Sequence, residues 1–333
     1  MTSEIPVLDL GDYLAGKPGA LETTARQLRH AAENVGFYFI KGHGVPQDLV
    51  DDTFEASRRF HDLPQAQKSA LKANEHNIGY MAYGSSVSRA SRVYEGERKS
   101  NLVSAIFLKR DLAPDHPDIV NNKRFRGANQ WPENLAGFRD TANSYMDALE
   151  ALAKSLLPLY ATALDLPPDY FAQGFVEPQY TLRLSHYPPS EPEDNQFGLA
   201  PHTDSSFMTL LAQNMVEGLQ VRRTDGTWID APALPGTFLV NGGDMLRRWT
   251  NHRFLSTPHR AKAASPDRDR YAIPFFFDAH ADYVIECLPT CHSADNPARY
   301  EPTTYTKYMT WFATQNYAHF RDANDAMGGQ AAE

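Results

Sequence analysis

Only two cysteines, Cys287 and Cys291, occur in the 333 residues, too few for a disulfide framework. They sit in a CxxxCH run, and no second cysteine pair exists to complete a structural zinc site. Long apolar runs are missing too: no stretch of about 18 consecutive apolar residues is available to span a bilayer, so no membrane partner is expected. The opening MTSEIPVLDLGDYL is acidic and lacks the basic-then-apolar order of a signal peptide. Together with the scarce cysteines, this makes a reducing cytoplasm the expected location. Basic charge is in deficit, with 32 Lys and Arg against 41 Asp and Glu for a net charge of −9. A nucleic-acid partner would need a basic face for the phosphate backbone, so none is expected. There is no internal repeat and no low-complexity linker. Only residues 323–333, ANDAMGGQAAE, read as a flexible tail, small and polar around a glycine pair.

What is present is the material of a sizeable core. The chain is 42% hydrophobic and 11% aromatic, enough for one large domain or a main domain with a packed extension. The first third alternates strand and helix signals. IPVLDL is a short strand candidate, LETTARQLRHAAEN has helical period and stops before Gly36, and GFYFIKGHG follows as an aromatic, β-branched strand. A further helix is expected from about Gln47 to Phe60. Residues 134–166 carry the longest helical pattern. Phe138, Tyr145, Met146, Leu149, Leu152, Leu156 and Tyr160 recur there at three- and four-residue steps, the spacing of a face laid on a sheet. From Tyr180 to about Leu288, short β-rich runs (TLRLSHY, FMTLLAQ, LQVRR, TWIDA, TFLVN, YAIPFFF, YVIECL) are separated by Gly, Pro, Asn and Asp turns. This spacing indicates a β-sandwich or barrel-like core. A last helix, about Thr303–Phe320, is expected to pack back on it.

One constellation in the β-rich region carries chemistry. In LAPHTDSS, His202 and Asp204 are two residues apart. On an extended strand such residues point to the same side with side chains about 7 Å apart, so an imidazole nitrogen and a carboxylate oxygen can converge on one ion. Fifty-five residues after Asp204, STPHRA offers His259. Two histidines and one carboxylate on one face of an octahedron leave three positions open, the arrangement of non-haem iron(II) oxygenases. Alone, H-x-D reads more readily as a core or surface histidine beside a helix-capping aspartate, and it is the surrounding residues that overturn that reading. His252 lies in the loop TNHRF and is not expected to be a ligand, and His186, of opposite parity to Tyr187, should face away from the site. Asn241, Gly243 and Asp244 read as a turn, with the aspartate serving backbone donors. If YAIPFFF is unbroken, Arg270, Ala272, Pro274 and Phe276 share one strand face.

The surroundings of this constellation resemble the isopenicillin N synthase-like family of iron(II)/2-oxoglutarate-dependent oxygenases. The likeness is dense over residues 180–280, in RLSHYPPS, APHTDSSFMTLLAQ, DGTWIDAPALPGTFLVNGGDMLRRWTNHRFLSTPHR and DRYAIPFFFD. It continues in IPVLDL, VGFYFIKGHGVP and FHDLP near the N-terminus and in NQWPEN at 129–134. The resemblance implies an α+β fold, with a double-stranded β-helix (jelly-roll) core, flanking helices and an N-terminal α/β extension. Its parts would be an N-terminal non-haem dioxygenase module over 1–125, a helix-supported catalytic jelly roll over 126–322 and the tail 323–333. It implies His202, Asp204 and His259 as the iron ligands. Arg270, eleven residues after His259, matches the arginine of the family's R-x-S motif, a planar fork of donors for the distal carboxylate of 2-oxoglutarate. Tyr187 matches the phenol that shares that carboxylate. Two positions depart from the pattern. The motif serine is Ala272, which removes a hydroxyl donor worth ~1 kcal/mol. The N-x-Y motif reads Ser185-His186-Tyr187, with the asparagine lost.

The implied activity uses iron(II), 2-oxoglutarate and O2. Cosubstrate decarboxylation to succinate yields a ferryl species that abstracts hydrogen from a small-molecule substrate, with hydroxylation as the default and desaturation or ring closure as other fates of the radical. Phe276 matches a substrate-contacting position of the family, and Tyr80 and Tyr83 match a tyrosine-rich strand facing the site. Arg89 and Arg92 could hold an anionic group, which favours a small polar or carboxylated substrate. A monomer or weak homodimer is expected. Two rivals share the fold: an iron oxidase that uses no 2-oxoglutarate, with Arg270 binding substrate instead, and a non-catalytic metal-binding jelly roll. A zinc hydrolase fits less well, since zinc prefers more histidine and a general base nearby.

Overall fold

The computed structural model describes residues 5–89 and 91–316. The strands are β1 (Val7–Asp9), β2 (Phe37–Lys41), β3 (Gly79–Met81), β4 (Ser104–Leu108), β5 (Gln179–Tyr187), β6 (Leu199–His202), β7 (Met208–Gln213), β8 (Leu219–Arg222), β9 (Trp228–Asp230), β10 (Phe238–Gly242), β11 (His259–Ala261), β12 (Arg270–Asp278), β13 (Val284–Ile285) and β14 (Thr303–Thr304). Eight form one sheet in the order β1-β2-β10-β7-β12-β5-β4-β3, and four form a second in the order β6-β11-β8-β9. From β5 to β12 the chain passes between the two sheets at each step except the β8–β9 hairpin. That path is the double-stranded β-helix the sequence led us to expect. The N-terminal strands lengthen the large sheet at both ends. β2 pairs with β10 and carries β1, while β4 pairs with β5 and carries β3.

Strand parity divides the large sheet chemically. Leu182 and Leu184 of β5, with Ile273, Phe275 and Phe277 of β12, join one apolar cluster with Leu28, Phe60, Leu149, Leu156 and Tyr160 of the helices Ala20–Asn34, Gln47–His61 and Phe138–Ala163. Each such side chain contributes about 1.5–3 kcal/mol when fully buried, so the helix–sheet layer supplies much of the driving force for folding. The alternate residues Arg183 and Tyr187 of β5, with Arg270, Ala272, Pro274 and Phe276 of β12, line the space between the sheets. Burial on the helix side thus leaves the inner face for polar groups.

The N-terminal module also reaches the inner site. The helix Ala20–Asn34 ends before Gly36, whose φ of +74° places it in the left-handed region. A Cβ there would lie 2.1 Å from Thr257 Oγ1, and Thr257 Oγ1 donates to the Val35 carbonyl at 2.8 Å. Thr257 precedes His259 by two residues, so this contact ties the end of the helix Ala20–Asn34 to the second histidine.

Several expected elements differ in extent. The long helix starts at Phe138, after Gly137 with a φ of 77°. YVIECL forms only the two-residue β13, because the chain turns into a short 3-10 segment at Pro289–Cys291. β4, SAIFL, has no counterpart among the expected strands: all five residues are buried, so it lacks the alternation that marks a half-buried strand. The last helix is Tyr305–Asn316. Its expected extension to Phe320 and the tail 323–333 lie outside the described residues. No described helix is long and apolar enough to cross a membrane.

Candidate metal and cosubstrate site

β6 ends on His202 and β11 begins on His259, and the two are antiparallel partners. Their ring centroids are 4.3 Å apart. Asp204 follows β6, and its Oδ1 lies 3.8 Å from His202 Nε2 and 3.6 Å from His259 Nε2. Candidate ligand atoms of all three lie within 4.8 Å of one another, the one cluster of this kind among the described residues. Cys287 and Cys291 are free thiols outside it.

Each of the three is oriented from behind. His202 Nδ1 is 2.8 Å from the Ala200 carbonyl and His259 Nδ1 is 3.1 Å from the Thr257 carbonyl. A carbonyl only accepts, so Nδ1 carries the proton and Nε2 presents a lone pair toward Asp204. Asp204 Oδ2 accepts from Thr209 Oγ1 at 2.7 Å and from Asn241 Nδ2 at 2.8 Å, which leaves Oδ1 for an ion. Burial, reinforced by the His259 ring, pushes the His202 pKa well below the ordinary histidine range. Burial opposes ionisation of Asp204, but His259, His202 and the two hydrogen bonds outweigh it and hold its pKa low. Neutral imidazoles and an ionised carboxylate are the forms that bind a divalent cation, so the donor set fits iron(II).

Beyond the triad a narrow cavity runs to Arg270, the buried first residue of β12. Arg270 pairs across the strands with Tyr187 and its guanidinium lies over that ring, 4.8 Å from the centroid. Its Nη2 donates to Gln213 Oε1 at 3.2 Å, while Nε and Nη1 are buried without partners. Two free donors on a planar, permanently charged fork are what a carboxylate requires, so this end of the cavity fits 2-oxoglutarate. Ala272 stands opposite Ser185, whose buried Oγ has no partner.

A larger pocket opens on the other side of the triad, roofed by Tyr305, Met309, Trp311 and Phe312 of the last described helix. Phe276 lines both cavities, and Arg92 lines the larger one. Three expected contacts are corrected. Tyr80 faces the helix layer, with its ring 5.9 Å from that of Phe60, while its neighbour Met81 lines the pocket. Tyr83 and Arg89 are exposed and border neither cavity. The turn expected at 241–244 is corrected as well. Asn241 is a buried β10 residue that holds Asp204, and Asp244 accepts from Thr203 Oγ1 at 3.1 Å rather than from backbone. His252 lies outside the cluster, bonded to the Tyr300 hydroxyl, and His186 stacks on Tyr271 away from the triad. Thr209, Gln213, Phe37 and Arg183 join the site without having been singled out in the sequence.

An iron-ready triad beside a carboxylate-ready arginine, set between the sheets of a jelly roll, defines an iron(II)- and 2-oxoglutarate-dependent oxygenase. The comparisons agree: residues 178–279 match the 2OG-Fe(II) oxygenase superfamily and residues 5–134 match the non-haem dioxygenase in morphine synthesis N-terminal family, and the chain belongs to the 2OG-Fe(II) oxygenase superfamily. The 2-oxoglutarate-Fe(II) type oxidoreductase hxnY of Emericella nidulans is 33% identical, covering 94% of this chain and 90% of its own. The structure of a full-length Neurospora crassa protein in complex with alpha-KG and thymine is similar with a TM-score of 0.79 at 27% identity, over 93% of this chain and 97% of that one. JOX2 in complex with 2OG, Fe and JA gives 0.75 at 28%, over 96% and 88%.

Proposed function

We propose that His202, Asp204 and His259 hold the iron(II), that Arg270 and Tyr187 bind the distal carboxylate of 2-oxoglutarate, and that the larger pocket seats a small molecule for hydroxylation. One observation carries this reading. Arg183, Leu199, His202, Asp204 and Phe276 line both cavities, so cosubstrate and substrate would meet at the triad. When bound, iron(II) with 2-oxoglutarate and O2 supplies the oxidant that removes hydrogen from a substrate carbon, giving succinate, CO2 and the hydroxylated product.

The chain's own residues orient and enclose. Thr209 and Asn241 fix which Asp204 oxygen faces the ion. Gln213 and the Tyr187 ring fix the Arg270 fork, and Gly218 leaves room for it, since a Cβ there would lie 3.1 Å from Arg270 Cδ. Phe37, Leu211 and Leu219 line the cosubstrate cavity with apolar surface and keep water from it. Phe276 stands between the two cavities, where a substrate would reach the triad. The same reading takes the protein as a cytoplasmic monomer or weak homodimer with no nucleic-acid partner, supported by its −9 charge and its free thiols.

The test is stoichiometric. Purified protein should bind one iron(II) and release succinate in step with O2 consumption, and His259→Ala should lose both iron retention and succinate formation. Undiminished succinate release by that variant would remove the metal assignment.

A further inference from the structure

We propose that Arg183 is the anion anchor of the larger pocket and that the substrate class is a small carboxylic acid with an apolar or aromatic body. This rests on the site reading given above and sharpens it.

Three arginines are buried among the described residues, Arg126, Arg183 and Arg270. Arg126 has the Asp118 carboxylate at 3.0 Å, and Arg270 faces the cosubstrate cavity. Arg183 has neither a carboxylate within 4.0 Å nor a hydrogen bond among the described residues, and its Nε is buried without a partner. Its guanidinium lies over the Phe107 ring, 5.5 Å from the centroid, an apolar neighbour that brings no counter-charge. Only 7% of the residue is exposed, and it lines both cavities next to His202 and Asp204. A guanidinium cannot shed its proton, so a buried one without a counter-charge is costly unless a ligand supplies the anion.

The charges leave room for one more anion. Iron(II) with Asp204 carries one net positive charge, which the metal-side carboxylate of 2-oxoglutarate balances, and Arg270 balances the distal one. Arg183 is left over. Asp278, further along the same pocket, does not cancel it, because burial raises its pKa to about 8 and keeps it protonated. Asp244 also lines this pocket, its carboxylate accepting from the Thr203 and Tyr308 hydroxyls, and Arg92, the pocket's second guanidinium, offsets its charge. Around these polar groups Met81, Val87, Leu199, Phe276, Met309 and Phe312 offer apolar surface for the rest of the molecule.

The experiment uses the full chain, loaded anaerobically with iron(II) and 2-oxoglutarate, with benzoate and phenylacetate as probes against benzamide and phenylacetamide. Melting temperature is read across a titration of each. The acids should raise it and the amides should not. Arg183→Met should weaken the acids' apparent affinity about tenfold or more, with Arg183→Lys retaining part of the response. Without any probe, Arg183→Met should melt several degrees higher than the wild type, because an uncompensated buried charge has gone; a merely structural arginine would give a lower value. The proposal is overturned by equal responses to acids and amides, by no response to either acid, or by an Arg183→Met protein that melts lower and still answers the acids. It is equally overturned if Arg183→Met weakens 2-oxoglutarate itself as much as the acids, which would assign Arg183 to the cosubstrate. The underlying reading fails separately, and takes this one with it, if the wild type retains neither iron nor 2-oxoglutarate.

Discussion

The two oxygens of Asp204 have different tasks, one facing the histidines and one held by Thr209 and Asn241. Removing the holder should loosen the ligand without dismantling the fold. Asn241→Ala is expected to weaken iron(II) binding by roughly tenfold to a hundredfold, measured by competition with a chelator. Asp278 makes a different prediction. Its folded pKa of about 8 lies above the ordinary value of 3.8, raised by burial against the pull of the Phe207 N–H and Lys109. Such an acid takes up a proton on folding, so its contribution to stability falls as pH rises from about 4 toward 8. Asp278→Asn keeps an acceptor for the Phe207 amide and has no proton to lose. Its melting temperature relative to the wild type should therefore climb across that window and level off above it; a difference independent of pH would refute the assignment.

At the scale of elements, strand parity makes much of the site legible in the sequence. The run from Arg270 to Phe276 is enough to place those side chains on the inner face, whereas β6 ends on His202 and Asp204 reaches the same ion from the segment after it. Asn241 is illegible because the contact that gives it meaning spans 37 residues and two strands, while N-G-G-D reads locally as a turn. Tyr80 misleads for the opposite reason, since β3 directs it to the helices and its neighbour Met81 to the pocket. Arg183 lies in a stretch recognisable as a strand, but whether an arginine has a counter-ion depends on every element around it. The junction at Gly36 belongs to this scale as well. Gly36→Ala must enter a left-handed φ and also displace Thr257, whose carbonyl holds His259. Gly16→Ala, at a φ of +67° with open space around it, meets only the first cost, about 1 kcal/mol. Both variants should lose stability, but only Gly36→Ala should also lose iron affinity, as a parallel thermal melt and iron titration would reveal.

Across the whole molecule, the expected division near residue 125 coincides with no break in the large sheet, because β1 to β4 are hydrogen-bonded into it at both ends. The small sheet is more lightly attached. β6 is one of its two edge strands, paired only with β11, and the register slips between His259 and Ala261. The direct opposition of His202 and His259 means that an ion held by both would join this edge strand to its neighbour where the ladder is weakest. Iron would then act as a cross-link as well as a reagent. Chelation should accelerate amide hydrogen exchange over residues 199–202 and 259–261 while β5 and β12 stay protected. A protein stripped of its ion would thus be partly unlaced along one seam, and reloading the metal would be a local refolding event.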